Sequence, residues 1–291
     1  MSDAAPLDGK VVFVVGSTRG IGRETALALA HDGAALAVCG RDDEQARTLA
    51  VELSAVSGVP AHGGGLDVSD PAAVESFAAR IERELGPVSV IVNNAAVLGP
   101  VGALHCTEAE AWTQAISINL VGVANVVRSF WSQLATSGRG RVINLAGGGV
   151  GGPSPMQRAS AYVSSKAAVM ALTEVLADEA SSIGATVNAI SPGSISTGFM
   201  DGVVAAGPEM AGRALYEDAA RRVDREISAT VAPFLALLRF LISDDGAAVN
   251  GRTLSARWEH PARLVEVAVH GLNESRFRLR RIDSDLYGAL Q

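Results

Sequence analysis

The sequence predicts an α/β fold, in which one domain is built on a doubly wound parallel sheet with helices on both faces. Short apolar, β-branched runs alternate along the chain with segments of helical length, as they do in successive βαβ units. The 291 residues are 48% hydrophobic but only 4% aromatic, which suits aliphatic parallel strands that are buried on both faces. A glycine-rich turn joins the first strand to the first helix. These three observations together define the fold class.

The individual elements follow from local signals in chain order. The predicted strands are residues 11–15, 35–39, 88–92, 141–145 and 185–190. The predicted helices are residues 23–31, 42–56, 70–85, 107–134 and 159–182. Asp70 followed by Pro71 is typical of a helix start, and Thr107 with Glu110 matches a capping box. We find no internal repeat or interdomain linker.

The turn after the first strand has the spacing G-x-x-x-G-x-G, formed by Gly16, Gly20 and Gly22. Glycines allow the backbone to turn tightly and to approach a pyrophosphate. The N-terminus of the helix that follows presents free N–H groups and a positive dipole end to the anion. The pattern predicts a nucleotide-binding loop, and the alternative is an ordinary strand–helix turn.

Tyr162 and Lys166 are four residues apart on a predicted helix, so that both side chains lie on one face. A free phenol has a pKa of about 10, and a nearby ammonium stabilises the phenolate and lowers that pKa. The pair is therefore a candidate for proton exchange with an alcohol or carbonyl oxygen. The alternative is a pair on the surface of a helix.

With N-N-A-A at 93–96, Asn119, the strand 141–145 and S-P-G-S-I-S-T at 191–197, these motifs resemble the short-chain dehydrogenase/reductase family. The resemblance runs from about Gly9 to about Thr253. It implies a Rossmann-like fold, an NAD(P)-dependent enzyme that reduces a ketone or aldehyde or runs the reverse reaction, and a homodimer or homotetramer. An enzyme that mainly oxidises an alcohol or cyclic diol with NAD(P)+ is an alternative.

The resemblance also implies a set of site residues. The implied catalytic residues are Tyr162, Lys166 and Asn119. The implied cofactor-binding residues are Gly16, Thr18, Arg19, Ile21, Gly22, Arg41, Asp67, Val68, Asn93, Ala95, Tyr162, Lys166, Pro192, Gly193, Ile195 and Thr197. Asn119 would connect Lys166 to solvent through its helix and an ordered water. Several have a structural alternative: Asn119 as a buried amide that satisfies backbone groups, Asp67 as a carboxylate at a helix start, Asn93 and Ala95 as a strand-end turn, Pro192-Gly193 as a turn.

Charge at the end of the second strand predicts the cofactor. NAD-binding proteins commonly place a carboxylate there to bind the ribose hydroxyls. This chain has Gly40 and Arg41 instead, and Arg19 in the glycine loop offers a second cation. We therefore expect NADP(H), whose 2′-phosphate both arginines would bind, with NAD(H) as the alternative. Against this, Asp42 and Asp43 would partly neutralise Arg41.

The chain departs from the family at its catalytic serine. Alignment on Asn144 places Gly147 at that position, in the glycine-rich segment 147–152. Loss of one preorganised donor costs about a hundred- to a thousandfold in rate, which would slow hydride transfer without abolishing it. Backbone N–H groups of the loop, Ser154 or Gln157 are candidates to replace the hydroxyl, whereas Ser160 fits a helix cap. The absence also favours a second class, a cofactor-binding protein with weak or no catalysis.

Two segments lie outside the regular alternation. Residues 198–228, the lid segment, resemble the family's mobile cover over the substrate, and the alternative is a helical hairpin that only covers the sheet. Its apolar residues indicate a fairly apolar ketone. Residues 1–257 are predicted to form the dinucleotide-binding and catalytic domain. The extension 258–291 is predicted to pack on its own or a neighbouring subunit.

Composition restricts partners and location. The net charge is −7 and no basic run dominates, which disfavours nucleic acid and anionic membranes as partners. Residues 1–10 lack the apolar core of a signal peptide, and no apolar run is long enough to span a bilayer. Cys39 and Cys106 are too few for a disulfide framework, and His62 and His105 lack metal-ligand spacing. We therefore expect a cytoplasmic protein without a metal that acts on a small molecule.

Overall fold

The sheet of this protein is parallel throughout. The computed structural model describes residues 6–147, 150, 156–193, 195, 200–221 and 227–264. Within these residues, seven strands follow the order β3-β2-β1-β4-β5-β6-β7. The strands are β1 (Val11–Val15), β2 (Ala35–Gly40), β3 (Ala61–Gly65), β4 (Val90–Asn93), β5 (Arg141–Leu145), β6 (Thr186–Ser191) and β7 (Thr253–Ser255). The predicted doubly wound α/β fold is confirmed.

Helices cover both faces of the sheet. The α-helices are α1 (Gly20–His31), α2 (Asp43–Ser57), α3 (Pro71–Leu85), α4 (Ala109–Ile116), α5 (Gly122–Ser129), α6 (Trp131–Ser137), α7 (Ser160–Ser181), α8 (Asp201–Ala211), α9 (Arg213–Ala220) and α10 (Ile227–Ile242). Helices α1, α2 and α10 pack on one face, and α3, α5, α6 and α7 pack on the other. None of the described helices is both long and apolar enough to cross a membrane.

The core is mainly aliphatic, as the composition predicts, with one aromatic cluster. All five residues of β1 are buried, which explains its uninterrupted apolar sequence. The ring of Phe13 on β1 lies 5.2 Å from that of Phe77 on α3 and 4.9 Å from that of Phe130. These contacts fix α3 and the start of α6 against the central strand.

Strand β3 has no apolar signal in the sequence, because it reads Ala-His-Gly-Gly-Gly. Its glycines allow α2 to pack very closely. A Cβ added to Gly63 would lie 2.0 Å from the carbonyl oxygen of Ala46 on α2. Close packing of backbone on backbone therefore replaces the usual β-branched side chains in this strand.

The predicted helix 107–134 is divided in the structure. Helix α4 is followed by a π-helical turn, Ser117–Val121, and then by α5, and the chain leaves helical geometry at Phe130. The predicted capping box is wrong: Glu108 is the N-cap and makes no side-chain cap bond, and the Thr107 hydroxyl donates to the Leu104 carbonyl. The hydroxyl has a nearer acceptor in the preceding 3₁₀ turn, Leu104–Cys106.

The lid segment contains two described helices, α8 and α9. Helix α8 is kinked at Gly207, where φ is 75°, and Pro208 follows. Residues 198–199 and 222–226 of the lid segment lie outside the described residues, as does 265–291 of the predicted extension. The roles of the lid segment and of the extension remain predictions.

Candidate active site

The candidate site lies at the carboxyl edge of the sheet, where the strand order changes direction between β1 and β4. In open α/β sheets this switch point is where a crevice forms. Register pairs Val15 with Asn93 and Asn93 with Asn144, which brings the ends of β1, β4 and β5 to the same level. The loops that follow these three strands therefore border one cleft.

The glycine loop is folded tightly against the turn after β4. Gly16 has a φ of 70°, and a Cβ there would lie 2.7 Å from the Cα of Ala95. A Cβ on Gly22 would lie 2.2 Å from the carbonyl oxygen of Gly16, which also accepts a 2.6 Å hydrogen bond from the Asn94 amide. The spacing of the glycines is thus required by the loop's own packing. No side chain caps the N-terminus of α1, where Arg19 is extended.

Ser17, which the sequence analysis did not single out, holds this loop to β2. Its hydroxyl accepts a 3.0 Å bond from the Cys39 amide, and its own amide donates to the Cys39 carbonyl at 2.8 Å. Cys39 is fully buried. The bonds place Thr18 beside the end of β2, where a Cβ on Gly40 would lie 2.6 Å from the Thr18 methyl carbon.

Arg19 and Arg41 are both exposed at this end of the cleft. The carboxylates next to Arg41 have other partners. Asp42 caps α2 by accepting from the Gln45 amide, and Asp43 accepts from the Gly65 amide at 2.7 Å and from Arg47 at 2.6 Å. The Gly65 bond is the main reason why the pKa of Asp43 is below its ordinary value. These hydrogen bonds go to groups other than Arg41, but both carboxylates remain negatively charged beside it, so the partial neutralisation of Arg41 stays a prediction.

Asp67 and Val68 form the turn from β3 to α3. The Asp67 carboxylate accepts from the amide of Ser69 at 2.9 Å and from its hydroxyl at 2.7 Å, as the helix-start alternative implies. Val68 is buried against Gly122, and its carbonyl accepts a 3.0 Å bond from the buried amide of Asn125 on α5. Asn125 was not a sequence candidate, because nothing local distinguishes it from a surface amide.

A chain of buried polar groups runs from Asn93 across the sheet. The Asn93 amide donates to the Asn144 oxygen at 2.9 Å, and the Asn144 amide donates to the Thr173 hydroxyl at 2.9 Å. Thr173 in turn donates to the Val169 carbonyl. This chain fixes α7 against the ends of β4 and β5. Ala95 lies in contact with the glycine loop, so both the strand-end residues predicted at the cofactor border this cleft.

Asn119 is fully buried in the π-helical turn. Its oxygen accepts from the Val97 amide at 2.8 Å, and its nitrogen donates to the Val97 carbonyl at 2.8 Å and to the Ser165 hydroxyl at 3.0 Å. These bonds match the structural alternative for the side chain. They also anchor α7 at a residue that lies between Tyr162 and Lys166.

Tyr162 and Lys166 lie on the buried face of α7, as their spacing predicts. The Lys166 ammonium donates to the Leu145 carbonyl at 2.7 Å and lies 6.0 Å from the centre of the Tyr162 ring. Burial raises the pKa of Tyr162 to about 12 and lowers the pKa of Lys166 to about 8. The predicted lowering of the tyrosine pKa is wrong for this structure, because desolvation of the phenolate dominates.

Gly147 follows β5 and lies directly against the phenol. A Cβ there would lie 2.6 Å from the Tyr162 hydroxyl oxygen and 2.8 Å from Cγ of Lys166. Distances this short require neighbouring atoms to move. The phenol and the lysine stem therefore occupy the space that the side chain of a serine would need.

The remaining predicted residues lie after β6, before α7 or outside the described residues. Gly193, with a φ of 83°, and the buried Ile195 follow Pro192 at the end of β6. Gln157 is exposed. Ser160 is not a cap; its hydroxyl accepts from the indole of Trp112 at 3.1 Å. Ser154 and Thr197 are outside the described residues.

Tyr162 is part of an apolar cluster. Its buried members come from the β4–α4 loop, from the start of α7 and from the lid segment: Leu98, Ala159, Met200, Val203, Ala211 and Ala219. Tyr162 is itself only 9% exposed.

Among the described residues, no three His, Cys, Asp or Glu side chains are grouped so that they could hold a metal.

A seven-stranded parallel sheet in this order, with a glycine-rich first turn at its switch point, defines a Rossmann-like protein. A sequence profile described as short chain dehydrogenase matches residues 10–206, which is more than half of the chain. The chain belongs to the short-chain dehydrogenase family, a family of oxidoreductases.

Similar proteins include several named reductases. A Mycobacterium tuberculosis protein named "Probable oxidoreductase EphD" is 37% identical over 191 residues, which are 65% of this chain and 32% of EphD. The chain thus spans about a third of the length of that relative. The acetoacetyl-CoA reductase of Rhizobium meliloti is 33% identical over 85% of this chain and 96% of its own. A variant of the actinorhodin polyketide ketoreductase, solved with NADPH, is 30% identical with a TM-score of 0.72, over 84% of this chain and 95% of its own.

Proposed function

We propose that this protein is an NADP(H)-dependent oxidoreductase that reduces the carbonyl group of a small ketone or aldehyde, or runs the reverse reaction. The observation that carries this proposal is the buried pair of Tyr162 and Lys166 beside the end of β5, at the cleft that the glycine loop borders. The acetoacetyl-CoA reductase and the actinorhodin ketoreductase support it by their names. The assay is NADPH oxidation with a panel of ketones and aldehydes, and its reverse with alcohols and NADP+. Absence of turnover in both directions would contradict the proposal.

The residues of the cleft fit a dinucleotide. Gly16 and Gly22 leave no room for side chains, and the first N–H groups of α1 have no side-chain partner, as a pyrophosphate would require. Thr18, Arg19 and Ile21 would complete the part of the cleft that binds the pyrophosphate. Bound NADP(H) supplies or accepts the hydride. Asp67 and Val68 would lie beside the adenine, and Pro192, Gly193, Ile195 and Thr197 beside the nicotinamide.

Tyr162 is the proposed proton donor. Because burial raises its pKa to about 12, the phenol is protonated at neutral pH and ready to donate to a developing alkoxide. Lys166 is largely charged at pH 7 with a pKa of about 8, and its ammonium would stabilise the phenolate that results. Asn119, through the backbone of the π-helical turn and an ordered water, would return a proton by way of Lys166. Asn93 and Ala95 would lie along the cofactor.

The cofactor preference is proposed to rest on Arg19 and Arg41, which lie exposed beside the glycine loop and the end of β2. We expect Arg41→Ala to lower kcat/KM with NADPH about 10- to 100-fold, since hydrogen bonds to a charged group contribute about 1.5–3 kcal/mol each. The value with NADH should hardly change. Steady-state kinetics with both cofactors measures this, with Arg139→Ala as the control, because Arg139 pairs with Asp244 far from the cleft. Equal kcat/KM with NADH and NADPH in the unaltered protein would contradict the preference.

Gly147 bears on the second candidate function, a cofactor-binding protein with weak or no catalysis. The missing hydroxyl favours it, and NADPH binding without turnover on the carbonyl panel would support it. The proposed enzyme needs another donor for the substrate oxygen. Ser154, Gln157 and backbone N–H groups of the glycine-rich segment remain the candidates.

We expect Gly147→Ser to lower activity instead of restoring it. The new Cβ would displace the Tyr162 hydroxyl and the Lys166 stem, and overpacking of this kind typically costs about 1–3 kcal/mol of stability. Thermal unfolding and kcat are the measurements. Gly202→Ala is the matched control for stability, because a Cβ there has its nearest neighbour 3.9 Å away. A Gly147→Ser variant that is both more active and equally stable would contradict the packing argument.

The quaternary state and location are part of the proposal. As in most members of the family, we expect an oligomer, here a homodimer or homotetramer, and we propose a cytoplasmic location. Light scattering of the purified protein decides the first, since a monomer at micromolar concentration would contradict it.

A further inference from the structure

Arg158 has a backbone conformation that residues with a Cβ rarely adopt. Its φ is 62°, and it is the one non-glycine residue with a positive φ in the part of the chain that the structure describes. Such a conformation costs free energy and persists only where the surroundings impose it. Glycine at this position would avoid the cost. The presence of arginine there indicates that the side chain has a use.

Three segments that border the cleft meet at Arg158. Its carbonyl accepts a 2.8 Å hydrogen bond from the amide of Gly102 in the loop after β4. Its Cγ lies 3.9 Å from the place of a Cβ on Gly212, the residue between α8 and α9 of the lid segment. The terminal methyl of Met210 in the lid segment lies 3.0 Å from the corresponding place on Gly102. Arg158 therefore lies where the loop after β4 meets the lid segment, four residues before Tyr162.

The surroundings of Arg158 combine an apolar wall with one cation. Its neighbour Ala159 is fully buried in the apolar cluster around Tyr162, and Met156 packs against the same cluster. The Arg158 side chain itself is exposed and makes no ion pair with the residues that the structure describes. Within the described part of the chain, this exposed guanidinium is thus a cation that no carboxylate pairs with, in a protein whose net charge is −7.

We propose that Arg158 determines substrate specificity by binding an oxyanion group, a carboxylate or a phosphate, on the carbonyl substrate. The planar guanidinium suits two parallel bonds to such a group. The carbonyl end of the substrate would face Tyr162, with the intervening carbons against the apolar cluster. This inference rests on the proposed function and specifies its substrate class.

The experiment compares charged and neutral substrates of the same carbon skeleton. Aliphatic keto acids are paired with their methyl esters, and dihydroxyacetone phosphate with dihydroxyacetone. Arg158→Gly removes the guanidinium and the backbone strain together, and Arg158→Lys restores a charge without the bidentate geometry. Arg83→Gln is the charge-matched control, since Arg83 is exposed near the far end of α3 and its guanidinium donates to a carbonyl of its own helix.

We expect Arg158→Gly to lower kcat/KM about 10- to 100-fold for the anionic member of a pair and to leave the neutral member nearly unchanged. The thermal midpoint should stay equal or rise, because glycine adopts this φ without cost. Arg158→Lys should recover part of the loss, and Arg83→Gln should behave as the unaltered protein does. Which pair responds identifies the oxyanion as carboxylate or phosphate. Equal losses on both members, or no loss on either, would overturn the inference.

Failure of the proposed function has a different signature. If the unaltered protein turns over no carbonyl compound, binding of the same keto acids and phosphates to the NADPH-loaded protein is measured by calorimetry. Binding that Arg158→Gly abolishes and Arg83→Gln retains would support the anion site without catalysis. Anions that bind equally to the unaltered protein and to Arg158→Gly, or to neither, would overturn it.

Discussion

Tyr162→Phe is expected to lower kcat about 10²- to 10⁴-fold, the usual range for the loss of a positioned general acid. The change removes one oxygen atom and keeps the ring, which is buried in the apolar cluster. NADPH binding should be preserved, because the ring still fills the same place. Steady-state kinetics and fluorescence titration with NADPH measure the two quantities on the same samples.

Tyr216→Phe is the matched control for this variant. Tyr216 packs against the same apolar cluster from α9, so its substitution removes a phenolic oxygen near the cleft without touching the proposed proton donor. We expect most of the activity to remain. Full NADPH-dependent activity in Tyr162→Phe would refute the proposed acid, whereas equal losses in both variants would assign the effect to the cluster.

Lys166→Met is expected to change activity and stability in opposite directions. Removal of a preorganised buried charge should lower kcat about 10²- to 10³-fold. Burial lowers the pKa of Lys166 from 10.5 to about 8, so that keeping it charged in the folded protein has a free-energy cost. We expect the variant to be more stable at pH 7, by up to about 3 kcal/mol less the contribution of the lost bond to Leu145.

The pH dependence of the free energy of unfolding distinguishes two explanations for a stability gain in Lys166→Met: removal of a buried charge, and better packing by methionine. Between about pH 8 and 10.5 the unfolded chain binds the Lys166 proton more tightly than the folded protein does. The free energy of unfolding of the unaltered protein should therefore rise with pH through this window, relative to Lys166→Met. Above pH 10 the raised pKa of Tyr162 acts in the opposite direction, because the unfolded chain loses that proton first.

Denaturant unfolding at pH 7 and pH 9.5 measures the difference in the free energy of unfolding between Lys166→Met and the unaltered protein. Both pH values lie below the range in which Tyr162 titrates. Lys10→Met is the matched control: the Lys10 ammonium also donates to a backbone carbonyl, that of Ile242, and lies away from the cleft. We expect it to retain activity. A stability gain in Lys166→Met that does not shrink between pH 7 and pH 9.5 would contradict the proposed cost of burying the charge.

The cofactor end of the cleft was the most predictable part of the site. The glycine spacing reports a local need, since Gly16 and Gly22 pack against backbone within the same turn and its neighbour. The position of Tyr162 and Lys166 on one face of α7 was equally predictable, because it follows from their helical spacing alone. By contrast, the hydrogen-bonding roles of Ser17, Asn125 and Asn144 were missed. Their partners lie on other elements, and a single polar residue gives no pattern along the chain.

Sequence patterns were enough to predict the doubly wound class of the sheet, the glycine loop and the tyrosine–lysine pair, because each depends on neighbours within one strand, turn or helix. The other features depend on contacts between elements that are distant along the chain. The glycines of strand β3 are explained by the close packing of α2 on that strand. The glycine at position 147 is explained by the Tyr162 hydroxyl oxygen, which would lie 2.6 Å from a Cβ there. Desolvation raises the pKa of Tyr162. Because desolvation depends on every segment that covers the ring, the direction of this pKa shift could not be predicted from the sequence.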